Sequence, residues 1–438
     1  MKKWLLAFLA GGIMFFCSCK VPVKDGKPVR IFFLTDPHYL AESLYDEGEA
    51  SDAVRNLRDG KETVYTKVIL EALIDTALEE KPDAVIIGGD NSYNGEEASH
   101  KEFAALFEPL IKEGIKVLTV PGNHDIRNPF AYDFTGEKVK RASTIEAQEF
   151  AEIYADLGLK DAYSRDKNSL SFVTKLTEEV WVLCLDVQKY EYNTSFGPVS
   201  DSWIKEDTQK WARKMFEKAK KAGAILVPVV HQSVIPYEGI SFEEYSVGNA
   251  SKIRALMKEF DSPVCFTGHL HVQAIMAKEE DGKMLYDCST GSLSVPENLF
   301  GDITIVPGES ISYKVRSVDV DSYAKKMGWE DEILRNFHQY TINHFRDSTY
   351  TFFLSLFMGQ EDIAEEDAYA LARLGSLINP YFYAGKAEEG TKAMKESPDY
   401  ETYLRYEDQV LVKQLFNKTH ERKISQRALQ VSLKGKNE

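Results

Sequence analysis

The feature that most restricts what this chain can fold into is a unit repeated between residues 30 and 320. A short β-branched or aliphatic run stops abruptly in a polar, often glycine-containing cluster. Six such runs, at residues 31–34, 84–87, 116–120, 180–185, 225–230 and 264–267, are too short and too uniformly apolar for surface helices and read as buried strands. Between them, Tyr65, Ile69, Ala72, Leu73, Thr76 and Ala77 recur at three- and four-residue intervals within residues 62–80, which is one buried helix face. Residues 103–112 and 203–221 read as helices too, whereas 127–166 is mixed and yields no assignment. Strand and helix alternate, so the expected fold is α/β.

Five of the strands end in side chains that bind metals. These are Asp36-Pro37-His38, Gly89-Asp90-Asn91, Gly122-Asn123-His124-Asp125, His231 and Gly268-His269-Leu270-His271, which together hold five of the nine histidines. Loops at the carboxyl ends of strands gather at one edge of an α/β sheet, so these residues are expected to converge. Asp36 with His38, and His269 with His271, lie two apart in extended segments, where alternate side chains share a face. Each cluster alone is as well explained by a hydrogen-bonded core histidine or a turn. Five clusters, each after a predicted strand, point to a metal centre. Imidazole, carboxylate and amide oxygen without thiolate suit Mn, Fe or Zn and argue against copper or an iron–sulfur cluster.

Length and charge narrow the function. The 438 residues suffice for a catalytic core and a second unit. Lys and Arg number 53 against 69 Asp and Glu, a net charge of −16, which repels duplex nucleic acid. A small phosphorylated substrate remains compatible, because bound cations supply local positive charge.

The first nineteen residues stand apart: Lys2 and Lys3, an apolar run over 4–16, then Cys17-Ser18-Cys19. The run is shorter than the ~20 residues a spanning helix needs, and its charge-then-apolar order is that of an export signal. It resembles a bacterial lipoprotein signal, which implies lipidation of Cys19 and anchoring to the cell membrane outside the cytoplasm. Cys17 is the competing position and ordinary secretion the alternative. Cys184, Cys265 and Cys288 sit in apolar runs and read as small buried hydrophobes.

Beyond about residue 321 long segments rich in aromatics and alternating charge replace the strand-like runs, so residues 321–438 are expected to form a smaller helical domain after a 20–29 linker and a 30–320 catalytic domain. The last residues from about 425 read as a fraying tail.

The order D-x-H, G-D, G-N-H-D, H, G-H-x-H resembles the calcineurin-like metallophosphoesterases over about residues 30–320. The resemblance implies a four-layer αββα sandwich of two mixed sheets and two divalent ions. It implies that Asp36, His38 and His271 hold one ion, that Asn123, His231 and His269 hold the other, and that Asp90 bridges them. It also implies that His124 lies beside the substrate phosphate with Asp125 orienting its imidazole. Two such ions activate an attacking hydroxide and neutralise phosphoryl oxygens. A cationic His124 would then protonate the leaving oxygen.

The stretch Gly89-Asp90-Asn91-Ser92-Tyr93-Asn94-Gly95, with the last two histidine motifs, looks like the class III cyclic-nucleotide phosphodiesterase branch, although Asn91 stands where that branch commonly has Leu. Asn379-Pro380-Tyr381-Phe382-Tyr383-Ala384-Gly385 looks like the appended domain of exported bacterial cyclic-nucleotide phosphodiesterases. Such aromatics either stack on a nucleobase or, more commonly, form helix-bundle core. Arg127 is the one obvious cation beside the clusters, and this scarcity favours hydrolysis of a small diester, a nucleotide being the expected substrate, over a phosphomonoesterase or nucleotidase. Asp186, at the end of the 180–185 strand, either faces the cleft or is a surface carboxylate. A non-catalytic surface-binding module on the same fold is the competing class, and an intact ligand set argues against it.

Overall fold

The computed structural model describes residues 26–55, 60–237, 245–416 and 424–434. The export signal, with Cys17 and Cys19, lies outside the described residues. The strands are β1 (Val29–Leu34), β2 (Ala84–Ile87), β3 (Lys116–Thr119), β4 (Tyr132–Asp133), β5 (Lys140–Arg141), β6 (Ser164–Arg165), β7 (Phe172–Lys175) and β8 (Val180–Leu185). They continue with β9 (Ile225–Val230), β10 (Val264–Thr267), β11 (Ala274–Glu280), β12 (Lys283–Ser289), β13 (Leu299–Val306), β14 (Ser310–Ser317) and β15 (Ala428–Ser432). One sheet runs β15-β14-β13-β1-β2-β3 and the other β11-β12-β10-β9-β8-β7-β6. Both are mixed: β1, β2 and β3 are parallel, as are β8, β9, β10 and β12, with antiparallel strands completing each sheet.

The layering follows from a period of two in buried strands. In β8, Val180, Val182 and Cys184 join the core between the sheets, while Trp181, Leu183 and Leu185 join the core beneath the helices Glu206–Lys221 and Ser251–Glu259. Across the inner layer the Phe33 and Phe266 rings lie 5.9 Å apart, and Phe266 stacks on Tyr313 at 6.1 Å. The helices Thr66–Glu80 and Glu97–Leu106 cover the other outer face through Ile69, Leu73, Ala77 and Phe103. The result is the expected helix–sheet–sheet–helix sandwich. Cys184, Cys265 and Cys288 are free and buried.

All six runs read as strands are strands, and the structure refines the helices between them. The 62–80 helix begins at Thr66 after a 3₁₀ turn, Thr63–Tyr65, because the Glu62 amide is committed to the Ser294 carbonyl at 2.7 Å. The 103–112 helix is two, Glu97–Leu106 and Glu108–Lys112. Pro109 has no N–H with which to continue the first.

The tail is a correction: residues 428–432 do not fray but pair antiparallel with β14, Ile311 opposite Val431. Gln426 anchors this return, its side chain bonding the backbone of Ile275 on the other sheet. The strand is invisible locally because its alternating residues are half-exposed on an edge.

Among the described residues seven helices follow β14, from Val320–Lys326 to Val410–Phe416. The longest, Phe337–Phe357 and Glu365–Tyr383, cross where Gly375 brings its backbone against the Phe353 ring; a Cβ there would sit 2.8 Å from it. The helical segment rests on the sandwich through Lys326, which reaches Asp75 at 2.6 Å and Glu79 at 2.7 Å, and through Tyr65, whose ring packs 5.4 Å from those of Phe337 and Tyr340. No helix among the described residues is long and apolar enough to cross a membrane.

Candidate metal centre

The parallel strands of both sheets end at the same edge of the sandwich. Asp36 and His38 follow β1, Asp90 follows β2, Asn123 follows β3, His231 follows β9, and His269 and His271 follow β10. Turning each side chain back over its strand end requires unusual backbone: Asp36, His38, Asp90, His269 and His271 all have φ between 45° and 65°. Non-glycine residues hold this left-handed region only where the surroundings impose it, and such residues cluster at functional sites. Two glycines let the loops close up. A Cβ on Gly122 would sit 2.1 Å from Asp90 Oδ1, and one on Gly268 would sit 1.9 Å from Thr35 Oγ1 and 2.6 Å from Asp36 Oδ2.

All seven residues converge. Ligand atoms of Asp36, His38, Asp90 and His271 lie within 4.8 Å of one another, and those of Asp90, His231 and His269 form a second such group. Asp90 belongs to both. Asn123 Oδ1 lies 3.2 Å from His231 Nε2. The donor and acceptor pattern calls for bound cations or, in their absence, for an extra proton. His231 donates Nδ1–H to the Gly88 carbonyl at 2.7 Å, so a neutral ring would turn its Nε2 lone pair on Asp90 Oδ2 at 3.3 Å and the Asn123 oxygen, acceptor against acceptor. His38 Nε2 and His271 Nε2 meet at 3.0 Å. Asp36 Oδ2 is satisfied by the Thr35 hydroxyl and the His269 amide, while its Oδ1 is buried without a hydrogen bond, as is His269 Nε2. Buried polar atoms are nearly always bonded, and divalent ions would satisfy these.

Protons respond to the same crowding. Burial works against charge on His231, yet Asp90 and Asp36 raise it to about 9. Burial works to raise the Asp90 carboxyl, but His231 and His124 hold it well below the usual range. Burial, with the His231 charge, lowers His269 to about 3. The protein without metal thus keeps a proton on His231 between two carboxylates, which metal binding must displace.

His124 stands beside this cluster, its ring 4.9 Å from that of His38 and edge-on to it. Two expectations about it change. Burial lowers His124 to about 4, with Asp90 only partly opposing, which disfavours the cationic form in which it would protonate a leaving oxygen. Its orienting partner is also not Asp125. His124 Nδ1 bonds Asn94 Oδ1 at 2.8 Å, and Asn128 Nδ2 donates to the same oxygen at 3.3 Å, which fixes the amide and leaves His124 Nε2 as an acceptor. Asp125 is fully buried and instead ties the loops together, accepting from the amides of Ser92 at 2.9 Å and Gly122 at 2.8 Å and from the Ser92 hydroxyl. Burial pushes its carboxyl up to about 7. A carboxylate next to a histidine in sequence was a misleading signal, because the loop turns the two side chains in different directions.

The cations also differ from expectation. Arg127 is 44% exposed and its Nε lies 3.4 Å from Glu146. Burial lowers both His38 and His124, and the charge of Lys61 adds to that effect on each. Scarcity of positive charge therefore no longer argues for a diester. Asp186 is buried rather than on the surface, accepting from the amides of Leu170 and Gln188 and from the Tyr190 hydroxyl. In the 379–385 motif, Phe382 packs 6.3 Å from Tyr237 and Tyr383 packs 5.0 Å from Phe345, while the Tyr383 carbonyl accepts from the Gln273 amide, two residues beyond His271. These aromatics form the joint between helices and sandwich.

Comparison with known proteins agrees with this geometry. The model of the calcineurin-like phosphoesterase family matches residues 29–273, more than half of the chain, and that of the C-terminal domain of cyclic nucleotide phosphodiesterase matches residues 319–423. Among curated proteins none matches. Solved structures that resemble it include a dimetal phosphatase from Danio rerio (10% identity, 66% of this chain and 96% of that one, TM-score 0.45) and purple acid phosphatase PPD1 from yellow lupin, Lupinus luteus (16%, 67% and 52%, TM-score 0.42). The GAP50 anchor of the Plasmodium inner membrane complex also resembles it (13%, 66% and 85%, TM-score 0.35). With a family match over residues 29–273 and a buried Asp/His cluster at the strand ends, this chain belongs to the calcineurin-like phosphoesterases.

Proposed function

We propose that the protein is a two-metal phosphodiesterase that hydrolyses cyclic nucleotides or similar small diesters. The observation that carries this reading is the pair of ligand groups sharing Asp90. Asp36, His38, Asp90 and His271 would hold one ion, and Asp90, Asn123, His231 and His269 the other. When bound, such ions supply Lewis-acid stabilisation of phosphoryl charge and an activated water. His124 contributes Nε2 as an acceptor held in place from Nδ1 by Asn94. It orients the attacking water by accepting its hydrogen bond, and can pass a collected proton to the leaving oxygen. The diester preference is supported by the match of the helical segment to a cyclic nucleotide phosphodiesterase domain. A monoesterase is favoured by one observation, the additional cation Lys61, since a dianionic monoester demands more positive charge.

Rates on 2′,3′-cyclic AMP, 3′,5′-cyclic AMP and 5′-AMP with Mn separate these readings. Cyclic diesters are expected to be the faster substrates, and preference for 5′-AMP would move the assignment to a nucleotidase. His124→Ala is expected to lower kcat by about 10²–10⁴ with metal content unchanged. Asn94→Ala should cost about tenfold by releasing the imidazole. Full activity in both variants would remove His124 from the chemistry.

Export and a lipid anchor on Cys19 belong to the same reading, supported by the charged, apolar and cysteine-bearing order of residues 2–19. The mass of the mature N terminus decides it: a diacylated or triacylated Cys19 is expected, and an unmodified end would indicate plain secretion.

A further inference from the structure

Strand β8 runs parallel to β9, and β9 to β10, so the loop that follows β8 emerges at the edge where the metal ligands stand. Hydrogen bonds fasten this loop to the segments on two sides of the ligand cluster. Near its start, buried Gln188 pairs with buried Gln232, the residue after His231, each amide nitrogen donating to the other's oxygen at 2.7 Å and 3.1 Å. Gln232 Nε2 also donates to the Ser200 carbonyl at 3.1 Å, so the loop leaves this point and returns to it. Between the two, it reaches the other sheet's side of the site. Asn193 Nδ2 donates to the carbonyl of Ile126, two residues past His124, at 2.9 Å, and Asn193 Oδ1 accepts from the Val199 amide at 2.8 Å.

The tip of the excursion is a tight turn in which Thr194 and Gly197 exchange backbone hydrogen bonds at 3.2 Å. Gly197 passes the ring of Phe130, from which a Cβ would stand 3.5 Å away. Phe130 is in turn held to the His124 loop: its amide donates to Asn128 Oδ1 at 2.9 Å, and Asn128 Nδ2 donates to the His124 carbonyl at 3.1 Å. Phe196, at the tip, is 92% exposed, and Phe130 keeps 36% of its surface in solvent. A single exposed ring needs no ligand to explain it. Here two exposed rings belong to one joint, and that joint is tied by side-chain hydrogen bonds to the loops of His124 and His231.

We propose that this loop tip, through Phe196 with Phe130 beside it, is the subsite for the nucleobase of the substrate. The ions at the strand ends take the phosphoryl group, and the sugar carries the base away from them toward the rim. Any base presents a flat π-face, so a solvent-exposed ring at the rim is enough to hold it by stacking. Phe196 is then a specificity-determining residue, and Asn193 a positioning residue that keeps the tip against the His124 loop. The inference rests on the phosphate-ester reading of the metal centre and adds the part of the substrate that lies beyond the phosphate.

Two ligands with a C–P bond that a phosphoesterase does not cleave read the subsite without turnover: adenosine 5′-methylenephosphonate and methylphosphonate, which carry the same anionic group with and without the nucleoside. Calorimetry on the Mn-loaded full chain is expected to show tighter binding of the nucleoside phosphonate. Phe196→Ala should weaken that ligand about tenfold, leave methylphosphonate and the Mn stoichiometry unchanged, and be rescued by Phe196→Trp. Asn193→Ala should weaken the nucleoside phosphonate about threefold, again without effect on methylphosphonate. The exposure of Phe196 makes its removal harmless to folding, which thermal unfolding checks.

Equal affinity of the wild-type protein for the two ligands overturns the subsite. So does wild-type affinity for the nucleoside phosphonate in Phe196→Ala, or an equal loss for both ligands, which would place the effect at the metal centre. Unchanged binding in Asn193→Ala overturns the positioning role. A chain that binds both phosphonates as expected but hydrolyses no ester would defeat the proposed function and leave the subsite standing; one that hydrolyses cyclic nucleotides but binds the two phosphonates equally would do the reverse.

Discussion

Asp90→Asn is expected to reduce bound Mn from two ions per chain to at most one and to lower phosphoester hydrolysis about a thousandfold or more. The reason is the position of this carboxylate. It is the one residue shared by the two ligand groups, it lies 3.3 Å from His231 Nε2 and 3.7 Å from His38 Nε2, and it accepts the His124 amide at 2.9 Å through its other oxygen. Asparagine keeps the volume and can keep the bond from the His124 amide, but it removes the negative charge that offsets two cations. The stabilisation gained on adding Mn should shrink with it. An ion present at a hundred times its dissociation constant contributes about 2.7 kcal/mol, so the midpoint of thermal unfolding in excess Mn reads the loss directly. Two ions per chain and wild-type rates in Asp90→Asn would show that Asp90 does not bridge.

Gly268→Ala should destabilise the fold by about 2–4 kcal/mol and weaken the first ion's site at the same time. Here the methyl group is forced to 1.9 Å from the Thr35 hydroxyl, which donates to Asp36 Oδ2 at 2.7 Å, and the His269 amide donates to that same oxygen at 2.9 Å. Relief requires moving β1's loop or β10's loop, and each carries ligands on both sides of the contact. Gly223→Ala is the matched control. Nothing lies within 4 Å of its Cβ position, so only the left-handed backbone, φ 73°, adds a cost of about 1 kcal/mol. Denaturant unfolding with and without Mn compares them. Equal losses in the two variants, with Mn binding retained in Gly268→Ala, would mean that the loop yields easily and that the close approach is incidental to the site.

The candidate site was largely legible because its chemistry is local. Each ligand sits one to four residues past a buried strand, and parallel strands must present those ends at one edge, so Asp36, Asp90, Asn123, His231 and His269 converge once the strands are read. What could not be read is which side chain faces which. Asp125 is adjacent to His124 in the chain yet bonds Ser92 and Gly122, and the imidazole finds Asn94, thirty residues earlier. Lys61 was passed over because nothing in its neighbours marks it: the turn that carries it is bonded through Glu62 to Ser294 and His344, more than 200 residues away.

The sequence by itself determined the α/β class, the buried strands and the metal-binding character of their ends, since apolar periodicity and residue chemistry act over a few residues. Only the tertiary structure decided that residues 428–432 return as an edge strand, that Asp186 is buried, and that the 379–385 aromatics join helices to sandwich. It also buried His124, which lowers its affinity for a proton. These depend on burial and on partners distant in the chain, and desolvation has no signature in the local sequence. A half-exposed alternating strand such as Ala428–Ser432 looks like a polar tail until a partner supplies its hydrogen bonds, and that partner is β14, more than a hundred residues earlier.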